Sequence, residues 1–409
     1  MEISIYADWI GLGGPTLMGT LSTSHIKGRE VFSFAYEKGW INSGKAQILD
    51  SDLQLYTGPQ YLTSNKKNFG SLLDSSPDRW GRVLMDRRES LLAKKEDRKR
   101  KTLFEEDYLL GVYDAYRMGG LRFKLEAEGP FLNNDKGLAT PPWTTLRELE
   151  HASLSLESGA LQDDESLKWI NLLFAPGASL GGARPKASII DEKNQLWIAK
   201  FPSINDKTDV GAWEMVANQL ALRCGLNISE TKVQRFNSMH HCYLSKRFDR
   251  IENERAHFAS AMTLLGYSDG VEGVSYIELA EFIMRNGCKV NMDLQELWTR
   301  IVFNIAIKNT DDHLRNHGFI LTPAGWNLSP AYDINPVYFG KGLTLNISET
   351  DNSLDYDLAM SVAKYFRVPN GKAQGIVEQI KKTVSNWKDL AVEYKIPRQE
   401  QELMEPAFT

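Results

Sequence analysis

Cysteine is scarce in this sequence. Cys224, Cys242 and Cys288 are the only three among 409 residues. They are odd in number, far apart and without metal-type spacing. That argues against a disulfide framework or a thiolate cluster and points to reduced, partly buried thiols. The chain also lacks the run of roughly 18 apolar residues that a membrane helix needs. Its first residues, Met1-Glu-Ile-Ser-Ile-Tyr-Ala-Asp8, have neither the basic segment nor the apolar core of a secretory signal. A cytoplasmic location without membrane contact is expected. Excess positive charge is missing too. The formal net charge is −5, so the chain is not built to coat DNA or an anionic membrane by bulk electrostatics. No internal repeat and no low-complexity tract occur. What is present is a globular balance, 42% apolar and 25% charged, enough for a sizeable core. The length suits two or three domains.

A polar stretch at 126–145, with Gly129-Pro130, Asn133-Asn134-Asp135 and Pro141-Pro142, reads as a connection between domains. The region before it, 1–125, opens with strand-like runs at 2–10, 16–21 and 31–36. A helix is expected over 77–95. It leads into Lys94-Lys-Glu-Asp-Arg-Lys-Arg-Lys101, whose interspersed acids suggest a solvated helix end. In 146–248 a glycine-rich turn at 177–182 precedes strands at 187–190 and 196–201. A helix over 210–223 carries Val210, Trp213, Val216, Ala217 and Leu220 on one face, and Gly225 suits its stop. Strands at 231–236 and 241–248 follow. Residues 249–409 read as mostly helical. The succession is a small β-rich lobe and then a helical lobe.

The chemistry sits after a helix striped by Leu294, Leu297, Ile301 and Ile305. It ends in Asn309-Thr-Asp-Asp-His-Leu-Arg-Asn316. A strand at 317–321, a turn at 322–325, a strand at 326–328 and then Asp333 complete the order. Protein kinases place a catalytic Asp, a metal-binding Asn four intervening residues on, a hairpin and a second metal-binding Asp in that order. Asp311 and Asn316 have the spacing, and Asp333 follows the hairpin. Asp311 would orient or accept the proton of an attacking hydroxyl. Asn316 and Asp333 offer hard oxygens to Mg²⁺ bridging ATP phosphates. Asp312 is one residue short of the spacing. Taken alone, either acidic site is more often a cap or turn; the ordered set favours function. A metal-hydrolase site from Asp311, Asp312, His313 and His317 lacks further ligands in the sequence.

Lys200 ends an apolar strand, and Glu214 on the following helix suits a partner for it, as in the strand-lysine and helix-glutamate pair of kinases. Alone, a strand-end lysine more often reaches to solvent. Gly177-Ala-Ser-Leu-Gly-Gly-Ala-Arg-Pro-Lys186 could offer backbone N–H groups to phosphates. It is not a Walker A loop. Ser179 within it is a candidate phosphate acceptor.

With these segments assembled, the chain resembles the HipA family of serine/threonine kinase toxins from bacterial toxin–antitoxin pairs. The motifs are Ser179-Leu-Gly-Gly-Ala-Arg-Pro-Lys186, Trp197-Ile-Ala-Lys-Phe-Pro202, Leu244-Ser-Lys-Arg-Phe-Asp-Arg250, Asn309-Thr-Asp-Asp-His-Leu-Arg-Asn316 and Ser329-Pro-Ala-Tyr-Asp-Ile334. Before them, Asp74-Ser-Ser-Pro-Asp-Arg-Trp-Gly81 and Arg117-Met-Gly-Gly-Leu-Arg-Phe123 resemble the family's N-terminal domain. The resemblance implies an α+β class, with a two-lobed protein-kinase-like fold behind a small α/β N-terminal domain. The divisions are 1–125, a linker at 126–145, a small lobe at 146–248 and a helical lobe at 249–409. It implies autophosphorylation at Ser179 and catalysis by Asp311. ATP contacts fall to Gly181, Gly182, Ala183, Arg184, Pro185, Lys186, Lys200, His313 and the hinge residues Lys246, Arg247 and Phe248. Mg²⁺ falls to Asn316 and Asp333. It implies a protein substrate, with aminoacyl-tRNA synthetases among the family's targets. A small helix-turn-helix antitoxin of HipB type is the implied partner, so DNA would be met through that partner. Two other readings stay open: a non-catalytic nucleotide-binding co-repressor, and a small-molecule kinase. The tail after Asn352 carries no motif.

Overall fold

Alternating apolar residues build the first sheet. In β1 (Glu2–Ala7) the side chains of Ile3, Ile5 and Ala7 are fully buried, the period-two pattern of a strand with one face on a core. It pairs antiparallel with β2 (Thr16–Ile26), which pairs with β3 (Arg29–Tyr36). Lys27 and Gly28 between them both have positive φ, 50° and 77°, the geometry a tight hairpin turn requires. The computed structural model describes residues 1–62, 66–136, 141–159, 163–173, 184–252 and 254–408.

The chain continues through α1 (Lys38–Ile41), β4 (Pro59–Tyr61), α2 (Gly70–Asp74), α3 (Arg79–Lys95), α4 (Glu105–Gly111) and β5 (Leu121–Lys124). The sheet order is β4-β3-β2-β1-β5. Asp78 caps α3 by accepting from Gly81 N at 2.8 Å. Then come α5 (Leu146–Ser158), α6 (Asp163–Leu173) and the hairpin of β6 (Lys186–Ile190) with β7 (Leu196–Lys200). Next are α7 (Val210–Arg223) and the antiparallel strands β8 (Thr231–Gln234) and β9 (Cys242–Lys246). They are followed by β10 (Arg250–Ile251), β11 (Glu254–Arg255), β12 (His257–Ser260), α8 (Ala261–Leu265), α9 (Tyr276–Asn286) and α10 (Val290–Ala306). After β13 (Gly318–Thr322) and β14 (Gly325–Leu328), the chain finishes in α11 (Tyr356–Val362), α12 (Asn370–Val384), α13 (Trp387–Glu393) and α14 (Arg398–Met404).

These elements divide into two units. One comprises Met1–Ile204, Lys246–Ser268 and Ile320–Pro323; the other comprises Asn205–Ser245, Asp269–Phe319 and Ala324–Thr409. The stretch 126–145, expected as a linker, falls inside the first unit. The expected α+β class holds. Among the described residues, no helix is long and apolar enough to cross a membrane. The basic run ends α3 as a self-neutralised surface. Arg98 meets Glu89 and Glu96 at 2.6 Å, and Lys101 meets Asp107 at 2.5 Å.

Candidate active site

In the second unit α10 buries Leu294, Leu297, Ile301 and Ile305. That apolar stripe fixes where the helix ends and so where the acidic loop begins. Lys308 turns the chain with a φ of 47°, and Asn309 N returns to Asn304 O at 2.9 Å. The two aspartates that follow have opposite fates. Asp312 is buried. Its Oδ2 accepts from Asn304 Nδ2 at 2.8 Å, lies 2.8 Å from His317 Nε2, and accepts from the Tyr276 hydroxyl. Burial alone would raise its pKa. The charge and hydrogen bond of His317 and the bond from Tyr276 outweigh that and hold it below the usual aspartate value. Asp312 therefore anchors the loop. Asp311 is exposed as a residue. Even so, desolvation of its carboxyl raises its pKa; His313 opposes the shift, and the charges of Asp333 and Asp312 add to it.

Asn316 closes the loop from the other end. Its Nδ2 donates to Asp311 O at 3.0 Å, and its N donates to His313 O at 2.8 Å. Its Oδ1 is buried and accepts no hydrogen bond among the described residues. A buried oxygen without a donor is costly, and a cation is a group that would satisfy it. His313 Nδ1 is likewise buried without a hydrogen bond among the described residues. The chain then runs through β13 and β14, and Ser329 N returns to Gly318 O at 2.9 Å. It reaches Asp333 with a φ of +58°, a left-handed conformation uncommon for a residue with a Cβ. Asn335 Nδ2 donates to Asp333 Oδ1 at 3.3 Å, and Asn335 N to Asn309 Oδ1 at 3.4 Å. Asp311, His313, Asn316 and Asp333 thus share one end of α10. Glu214, on α7, is buried in the same unit. It and Asp333 both bear on Tyr243, whose hydroxyl burial pushes far above its ordinary pKa.

The remaining expected residues lie in the first unit. Lys200, half-buried, ends β7 directly opposite Lys186 of β6. Lys186 already has a partner within the protein. Its ammonium is buried and paired with Asp78 at 2.7 Å, so its charge is already countered from the α3 cap. Two lysines facing each other across a hairpin repel, and Asp78 relieves that. Arg247 is likewise paired within the protein. Its buried guanidinium is held by Asp249 at 2.8 and 2.7 Å and by Tyr116 O at 2.5 Å. It secures the 114–119 loop. Its backbone N donates to Leu196 O at 2.9 Å. Lys246 and Phe248 flank it, both half-buried, as is Arg184; Pro185 is buried. Ser179, Gly181, Gly182 and Ala183 lie outside the described residues.

The metal-hydrolase alternative gains no geometry. Among the described residues, the donors that approach within shared-ligand distance are His25, Glu30 and Glu106, not the Asp311–His317 set. Those three already serve the start of α4, where Glu30 accepts from the N–H groups of Glu105 and Glu106. The sequence reading missed Asp78, Tyr276 and Asn304. Asp78 lies within a quoted motif. Asn304 is five residues before Asn309, but on a helix interior that spacing carries no signal.

The HipA-like C-terminal domain profile matches residues 178–387. No curated protein sequence matches the chain. Among solved structures, the chain is similar to HipA of Shewanella oneidensis MR-1, seen in a complex of HipA, HipB and operator DNA. The identity is 18% and the TM-score 0.63, over 99% of this chain and 94% of that one. A Helicobacter pylori proinflammatory kinase, CtkA, is matched at 14% identity and a TM-score of 0.38, over 54% of this chain and 92% of that one. The profile spans more than half of the chain, and the chain belongs to the HipA family.

Proposed function

We propose that this chain is an ATP-dependent serine/threonine protein kinase acting as the toxin of a toxin–antitoxin pair. The observation that carries the reading is the cluster at the end of α10. An aspartate with a raised pKa, Asp311, sits beside a left-handed Asp333 and a buried Asn316 Oδ1 that accepts no hydrogen bond among the described residues. A raised pKa suits a group that takes a proton from a hydroxyl near neutrality. Hard neutral and anionic oxygens suit Mg²⁺, so Asn316 and Asp333 would hold the metal. The ion would neutralise phosphate charge. The protein's own part is to orient the acceptor hydroxyl through Asp311 and to keep the loop rigid through Asp312.

On this reading Lys200 engages the phosphates and Glu214 keeps the role of its partner. His313 and the residues 181–185 line the nucleotide, with Lys246 and Phe248 at the adenine. Arg247 and Lys186 contribute by fixing the backbone. Ser179 is the autophosphorylation site, and the acceptor in the cell is a protein serine or threonine. The divisions 1–125, 146–248 and 249–409 act as N-terminal domain, small lobe and helical lobe. The partner is a HipB-like helix-turn-helix protein, which supplies the contact with DNA. The test is incubation with labelled ATP and Mg²⁺. Transfer to Ser179 and to a lysate protein is expected, with Asp311→Asn lowering it by on the order of 10² to 10⁴-fold. Equal labelling by wild type and Asp311→Asn would overturn the reading.

A further inference from the structure

The tail beyond Asn352 has no motif, yet its end is built onto one particular helix of the second unit. α7 starts at Asp209, whose Oδ1 accepts from Ala212 N at 3.2 Å. Glu400, on α14, reaches the same end. Its Oε2 accepts from Asp209 N at 2.9 Å and from Trp213 Nε1 at 3.3 Å. The carboxylate therefore sits where the helix dipole favours negative charge. The Trp213 ring is nearly fully buried, with Trp387 of α13 at 5.8 Å and Phe408 at 5.9 Å. Trp387 and Phe408 stack on each other at 4.5 Å and 12°.

On another side, Gly211 presses α7 against the β9 approach. A Cβ there would lie 2.2 Å from His241 O. At the far end Cys224 is buried. The helix is thus held at its N-terminal end, which resists roll. Roll is what matters for its neighbour in sequence. Trp213 and Glu214 are consecutive, so the seat of one ring sets the direction of the other's carboxylate.

We propose that the C-terminal tail is a positioning device for α7. Glu400, Trp387 and Phe408 hold Trp213, and through it they fix the direction of Glu214. The inference rests on the kinase reading for the role of Glu214. None of the three tail residues touches substrate; they act through the helix.

The experiment compares full-length wild type, Glu400→Ala, Glu400→Gln and Phe408→Ala, with Arg398→Ala as a tail control whose side chain is 91% exposed. Each is measured for Asp311-dependent phosphate transfer, for KM of ATP and of the acceptor, and for hydrogen exchange of the first turns of α7. Glu400→Ala and Phe408→Ala are expected to lower kcat about tenfold, leave the acceptor KM unchanged and speed exchange in 210–216 while the rest of the chain stays protected. Glu400→Gln, which keeps an acceptor oxygen, is expected to recover most of kcat. Folded variants with wild-type kcat, or with slow exchange in 210–216, overturn the positioning role while leaving the kinase reading intact. Wild type no more active than Asp311→Asn overturns the kinase reading and this role with it. Uniformly faster exchange in Phe408→Ala would mark it as misfolded, and the Glu400 pair then decides.

Discussion

Asp333 carries a backbone cost at the end of the hairpin that follows the acidic loop. A left-handed φ of +58° costs an L-residue about 1–2 kcal/mol, least for Asn and Asp. Such strain is held where the surroundings determine it, and it clusters at functional sites. This separates stability from activity at one residue. Asp333→Asn should keep stability within about 0.5 kcal/mol, because Asn tolerates the conformation. Asp333→Ala should lose about 1 kcal/mol. Both should lower phosphate transfer by on the order of a hundredfold or more, since the anionic oxygen for the metal is gone. Urea midpoints and initial rates on the same preparations check this. An Asn variant with full activity would remove Asp333 from the metal site.

Among the elements, the join between α3 and β6 is the one that sequence alone conceals. Asp78 Oδ1 caps α3 and its Oδ2 neutralises buried Lys186. Asp78→Ala should therefore cost about 3–5 kcal/mol, mainly because it removes the carboxylate paired with a buried ammonium, with about 1 kcal/mol from the lost cap. Adding Lys186→Met should restore most of the loss, and a double-mutant cycle by denaturation reads the coupling. No rescue would mean that the pair contributes little. The case also shows where sequence reading reaches its limit. The helix over 210–223 and the acidic loop were legible because apolar period and residue spacing are local properties. α3 was expected over 77–95, but its cap, Asp78, was not. The Lys186–Asp78 pair joins residues more than a hundred positions apart, and the Arg247 clasp on the 114–119 loop does the same. The resemblance names both residues as ligand contacts, and their buried carboxylate partners leave no signal in the motif. The tail was illegible for a related reason. Trp387, Glu400 and Phe408 lack any pattern in sequence and gain meaning only around Trp213.

For the molecule as a whole, acid should act through a group outside the catalytic loop. His257, in β12, is fully buried and stacks on Trp9 at 4.8 Å. Burial lowers its pKa from 6.5 to about 3. The unfolded chain thus binds a proton at this histidine below pH 6.5 that the folded chain refuses until about pH 3. The state that binds more protons gains on acidification, so folding stability falls as pH drops through that window. The slope approaches 1.4 kcal/mol per pH unit, or about 2 kcal/mol lost by pH 5. Asp50, in the same unit, works in the opposite direction. Burial raises its carboxyl, so the folded state takes up its proton first. The anchor Asp312 enters last. Its lowered pKa contributes stability that is present above the ordinary aspartate value and is lost only as pH falls through the folded value below it. The His257 share is therefore read as a difference. His257→Gln should be somewhat less stable at pH 7.5 because packing changes. Its urea midpoint should then fall less steeply than that of wild type between pH 6.5 and 4.5. Parallel curves would mean that His257 is protonated in the folded protein, or reaches solvent before the chain unfolds.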